Sequence, residues 1–81
     1  MDREELLNRI SVDPHVMVGK PIIRGLRITV EQVLGSLANG VTPQQLLGDY
    51  PELEMADIKA VLLHAMELVS EEQMFRVVAR T

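Results

Sequence analysis

Two helix starts stand close together in the middle of the chain, and they leave little freedom for what surrounds them. Thr29 and Gln32 have capping-box spacing: the threonine oxygen takes an orphan N–H while the glutamine reaches back to the cap. Val30, Val33, Leu34, Leu37 and Ala38 then fall on one apolar stripe, and Asn39-Gly40 supplies the left-handed stop. Thr42-Pro43-Gln44-Gln45 repeats the signal, with proline at the first helical position. Leu46 and Leu47 give this second helix its contact, and Gly48-Asp49-Tyr50-Pro51 ends it. A third helix is predicted from about Met55 to Val69. Its stripe is Ile58, Val61, Leu62, Ala65, Met66 and Val69, widened by Leu63 and Leu68, an arc broad enough to pack against more than one neighbour.

The N-terminal part reads differently. Residues 2–9 suit a short helical turn, and Ser11-Val12-Asp13-Pro14 breaks regularity because proline pushes its predecessor out of the α region. Short extended pieces are expected at His15–Val18, Pro21–Ile23 and Leu26–Thr29, with Arg24-Gly25 as a tight hairpin turn. At the other end, Ser70–Gln73 has the spacing of one more capping box, and Met74–Val78 suits either a helical turn or a strand. The fold expected is mainly α, a three-helix bundle with a short N-terminal extended or β-hairpin segment. The whole chain, 1–81, forms one domain.

Composition agrees. Hydrophobic residues make up 47% of the 81 residues but aromatics only 2%, so the core must be aliphatic, which suits helix-on-helix packing. Without cysteine there are no disulfides, thiolate metal sites or cysteine nucleophiles, and a reducing compartment fits. No apolar run approaches the roughly 20 residues of a membrane span. The acidic start Met1-Asp2-Arg3-Glu4-Glu5 is unlike a signal peptide, so a cytoplasmic location is expected.

Catalysis is not expected. Ser11, Ser36 and Ser70 sit in no recognisable nucleophile turn, and Asp49, Glu52, Glu54 and Asp57 read as a solvated acidic turn that complements a helix dipole. His15 and His64 match no metal-ligand spacing, and His64 reads as an edge-of-core or surface residue. No metal or cofactor is expected. The net charge of −4 conceals an asymmetry: between Val16 and Val30 stand three bases and no acid. A polyanion would meet that stretch first. The candidate DNA contacts are Lys20, Arg24 and Arg27, with Thr29 beside them. Equally weighted is the alternative that Arg24 and Arg27 pair with local acids and shape the hairpin. The third helix is a poor reading helix, since it opens with Glu52, Glu54 and Asp57 and offers only Lys59. Met74, Phe75, Val77 and Val78 are the candidate partner-binding residues, an apolar tail flanked by Glu67, Glu71 and Glu72. Homodimerisation is expected as well, because short strands and a small core gain stability by pairing.

Several of these residues carry a resemblance. Asp13-Pro14, then Gly19-Lys20-Pro21-Ile22-Ile23-Arg24-Gly25, Arg27-Ile28-Thr29-Val30, Tyr50-Pro51-Glu52-Leu53 and Asp57-Ile58-Lys59-Ala60 resemble the family called domain of unknown function 433. The resemblance covers about residues 10–69, leaving 70–81 as a tail. It implies a homeodomain-like, helix-turn-helix DNA-binding fold and an antitoxin: a non-enzymatic protein that neutralises a PIN-like ribonuclease toxin and represses its own operon. A stand-alone DNA-binding transcriptional regulator is the alternative reading. The chain departs from the family pattern at Val18, where a glycine is common, at Leu26, where a threonine is usual, and at Glu54, which replaces a Thr or Ser cap.

Overall fold

The computed structural model describes residues 1–71. In chain order the elements are α1 (Arg3–Leu7), β1 (Ile10–Val12), a 3-10 turn (Met17–Gly19), β2 (Pro21–Ile23), α2 (Val30–Ala38), α3 (Pro43–Asp49) and α4 (Met55–Glu71). The protein is thus mainly helical, with one small antiparallel sheet near its N-terminus. The tail residues Met74, Phe75, Val77 and Val78 lie outside the described residues.

The capping chemistry places α2 and α3 where the sequence puts them. Thr29 Oγ1 accepts from the Gln32 N–H at 3.0 Å while Gln32 Oε1 accepts from the Thr29 N–H at 2.8 Å. Thr42 and Gln45 repeat the exchange at 3.1 and 2.8 Å. At the far end of α2, Gly40 adopts φ +90°. The Gly40 N–H then reaches the Leu37 carbonyl and the Val41 N–H reaches that of Ser36, the paired bonds of a Schellman stop.

The N-terminal segment corrects the expectation at three places. Ser11 and Val12, expected within the break at Ser11-Val12-Asp13-Pro14, join Ile10 in β1, which pairs with β2 in the register Ile10–Ile23, Ser11–Ile22 and Val12–Pro21. The irregularity begins only at Asp13, whose Oδ1 accepts the His15 N–H and starts the turn. His15–Val18 is not extended. It leads into the 3-10 turn, where Met17, Val18 and Gly19 all have positive φ (+51°, +57° and +74°). Leu26–Thr29 contributes a single bridge, Ile22 to Thr29, rather than a strand, because Thr29 turns the chain into α2. Arg24-Gly25 is the tight turn expected: both residues have positive φ, +46° and +72°, and the Leu26 N–H closes onto the Ile23 carbonyl at 2.8 Å. Positive φ at both central positions is type I′ geometry.

Ile23, Ile28, Val30, Val33, Leu46, Leu53, Ile58 and Val61 form the buried core, drawn from β2, α2, α3, α4 and the loops between. The chain reaches α4 with one face to offer, and α4 inserts Asp57, Ile58, Ala60 and Val61 into it. Helix α4 continues past Val69 to Glu71, so Ser70 is helical and donates its hydroxyl to the Met66 carbonyl instead of starting a new cap.

Candidate functional site

Two sites lie on opposite halves of α4. The first is a carboxylate clamp at its N-terminus. The β1–β2 register sets Arg9 and Arg24 side by side, and the Arg24 N–H donates to the Arg9 carbonyl at 2.7 Å. Both guanidinium groups converge on Asp57, whose side chain is fully buried. Arg24 binds it with two bonds, Nε to Oδ1 and an Nη to Oδ2, each 2.9 Å. Arg9 donates to Asp57 Oδ1 and to Glu54 Oε1, both at 2.8 Å. Asp57 Oδ2 also accepts the Glu54 N–H at 2.8 Å, so the same carboxylate caps the start of α4. Burial opposes ionisation of Asp57. The bonds from Arg24, the Glu54 N–H and Arg9 outweigh it and hold the carboxyl below its ordinary value. Both oxygens of the buried carboxylate thus accept two bonds each.

That clamp revises the reading of the acidic turn. Asp57 is a buried partner for two arginines rather than a solvated charge. Arg9, which the sequence reading passed over, is half of the device. In the structure the constraint shows in the I′ turn, where Arg24, a non-glycine residue, is held at φ +46°.

The second site is an apolar groove of about 450 Å³ between α2 and α4. Val30, Leu34 and Ala38 line it from α2, His64, Ala65 and Leu68 from α4, and Pro21 closes one end. Gly35 in mid-helix widens the α2 wall, for nothing lies within 4 Å of where its Cβ would stand. His64 Nε2 is enclosed and has no hydrogen-bond partner among the described residues. At the rim, Lys20 Nζ holds Glu31 Oε1 at 2.8 Å, a bond that lowers the pKa of Glu31 from its ordinary value. A smaller, more polar hollow lined by Met17, Lys20, Thr29, Glu31, Gln32 and Gly35 adjoins it.

The sequence-predicted DNA residues therefore scatter. Arg24 is locked to Asp57 and Lys20 to Glu31, while the Thr29 hydroxyl caps α2 in a buried position. Arg27 is exposed and makes no ion pair among the described residues. No group of acidic or histidine side chains able to hold a metal occurs among the described residues. None of the helices there is long and apolar enough to cross a membrane.

Comparison with known proteins places these features. Among curated proteins no relative matches the sequence. A solved structure does: the crystal structure of a DUF433 member protein from Anabaena variabilis is 32% identical, with a TM-score of 0.71. The match covers 84% of this chain and 66% of that one, so this chain spans just under two thirds of its relative's length. A family model described as protein of unknown function (DUF433) matches residues 10–65, which run from β1 through the arginine clamp to the groove wall at His64 and Ala65. The chain belongs to the DUF433 family.

Proposed function

We propose that this protein is a non-enzymatic, antitoxin-like binding module whose α2–α4 groove receives an apolar segment of a partner protein, a PIN-like ribonuclease. The observation that carries the reading is the groove itself: six apolar side chains walling about 450 Å³, with one enclosed and unpartnered nitrogen, His64 Nε2. A volume of that size accommodates two or three large side chains of an inserted segment. The His64 nitrogen gives the segment one polar contact to match, which favours a partner with a hydroxyl or amide beside its apolar anchors. The Lys20–Glu31 pair at the rim supplies charges of both signs for orientation.

The test is inhibition. A PIN-like ribonuclease that is captured with this protein from its native cells, once purified, should lose activity in proportion to added protein. Leu34→Glu, which puts a charge into the groove wall, should abolish the inhibition while leaving the circular dichroism unchanged. Full inhibition by the Leu34→Glu variant would remove the groove from the reading, and no inhibition by the parent chain would remove the ribonuclease.

A stand-alone DNA-binding regulator is the second reading, and Arg27 favours it as an exposed base free of any ion pair among the described residues. It predicts steeply salt-dependent binding to duplex DNA that Arg27→Ala weakens. Arg24→Ala is unsuitable for that test, because it dismantles the clamp on Asp57.

A further inference from the structure

We propose that the free edge of β1 is a self-association surface, where a second copy of this chain adds its own β1 to make one continuous sheet. Backbone hydrogen bonds define that edge. The Arg24 N–H donates across the sheet to the Arg9 carbonyl, whereas the Ile23 N–H turns the other way, to the Ile28 carbonyl. Antiparallel ladders alternate residue by residue, so in the register Ile10–Ile23 and Ser11–Ile22 the residues that bond toward β2 are Arg9 and Ser11. The N–H and C=O groups of Ile10 and Val12 point away from β2, and no hydrogen bond reaches them from another element among the described residues. The usual guards of a strand edge are missing: Ile10-Ser11-Val12 holds no charge and no proline, and Val12 is 60% exposed.

The occupant follows from what this edge can bond. Two outward-bonding residues flank one inward-bonding residue, a pattern that is its own complement about a two-fold axis through Ser11. In that register Ile10 of each copy faces Val12 of the other, and each such pair exchanges both of its backbone bonds. All the outward groups of β1 are then answered. The same axis sets Arg9 opposite Asp13. Asp13 is exposed, takes the His15 N–H on Oδ1 and makes no ion pair among the described residues. Arg9 spends only Nη1 on Glu54 and Asp57, so Nε and Nη2 have no partner among the described residues. A parallel, in-register pair would instead set Arg9 against Arg9 and Asp13 against Asp13, like against like. No residue of β1 lines the α2–α4 groove, so this surface is separate from the one assigned to the partner protein.

Three residues a side bury far less than the roughly 800 Å² per partner of a standard stable interface, so a weak dimer is expected, with a dissociation constant of about 100 µM. Sedimentation equilibrium of the full chain from about 1 to about 500 µM should show monomer converting to dimer. Across that range amide exchange at Ile10 and Val12 should slow about threefold by mass action, while Ser11, already bonded to β2, stays unchanged. Val12→Pro removes an outward N–H without costing a bond to β2, and should hold the chain monomeric with unchanged circular dichroism. Val12→Thr keeps the N–H and should dimerise like the parent, as should Leu34→Glu in the groove. Orientation is read by cross-linking in this cysteine-free chain. Ser11→Cys alone should oxidise to a linked dimer, since the two-fold brings its Cα atoms to about 4.5 Å. Asp13→Cys alone should not, its copies lying about 14 Å apart. A parent monomeric across the whole range overturns the surface, as does a dimer that survives Val12→Pro or leaves the Ile10 and Val12 amides unprotected. If Val12→Pro disturbs the fold, the amide exchange and the Ser11→Cys result decide. Ready cross-linking of Asp13→Cys overturns the antiparallel register.

Discussion

The two ends of α4 are made of opposite materials. At its N-terminus a buried carboxylate is saturated: it answers two arginines and a backbone N–H. Toward its C-terminus, Leu62, Met66, Leu68 and Val69 stay about half exposed. A helix whose first turns are clamped holds its remaining turns in a fixed position without needing to bury them. The cost of leaving apolar surface in water at one end is offset by the order imposed at the other. Function is expected where the surface is unsatisfied, at the groove, and stability where it is satisfied, at the clamp.

The largest effect should come from breaking the clamp. Asp57→Ala leaves Arg9 and Arg24 beside an empty buried site and uncaps α4, a loss of about 3–5 kcal/mol. For a domain of this size that approaches the whole stability, so chemical denaturation should find the variant largely unfolded in buffer. If Asp57→Ala instead retained the parent's denaturation midpoint, the assignment of α4's rigidity to this end would be wrong.

A gentler version of the same break uses pH. The Asp57 carboxyl titrates lower in the folded protein than in the unfolded chain, where it takes its ordinary value near 3.8. As pH falls, the unfolded chain therefore binds a proton first, and stability contributed above pH ~4 drains away as the pH drops toward the folded-state value. The slope reaches at most about 1.4 kcal/mol per pH unit. Thermal melts between pH 7 and pH 3 should show this acid limb. Because Asp57→Asn removes the titrating group, any copy of that variant that folds should show a flatter limb.

How far the sequence discloses this contrast depends on range. Helix starts and stops are encoded within four residues, as Thr29–Gln32, Thr42–Gln45 and Asn39-Gly40, and they are legible because cap and partner share one turn. The clamp joins Arg9, Arg24 and Asp57 across three elements, and no local pattern announces such a convergence. Strand β1 was hidden for the same reason: three residues with half-polar character become a strand only because Ile23 lies opposite Ile10. On α4, periodicity gives the apolar arc correctly as wide. It does not distinguish the face that the chain buries, Ile58 and Val61, from the face it leaves open, Leu62 and Met66. That division depends on how many other elements reach the helix, and α1, with five residues, is too short to cover more.

Val18 sharpens the comparison from outside α4. It is a β-branched residue at φ +57° and ψ +35°, and 94% exposed, so the strain of its left-handed backbone is repaid by no packing. Val18→Gly removes a penalty of about 1–2 kcal/mol but returns part of it through the freer unfolded chain. The net expectation is about 1 kcal/mol of added stability, seen as a higher denaturation midpoint at unchanged slope. A lower midpoint would mean that Val18 makes a contact that its exposure does not reveal.

The smallest effect belongs to the open end of α4. Leu62→Gln and Met66→Gln change side chains that are already half in water, so in dilute solution each should shift stability by no more than about 0.5 kcal/mol. Chemical denaturation should give the double variant a midpoint close to the parent's. A large loss would place Leu62 and Met66 within the chain's own core, and the two ends of α4 would then be alike.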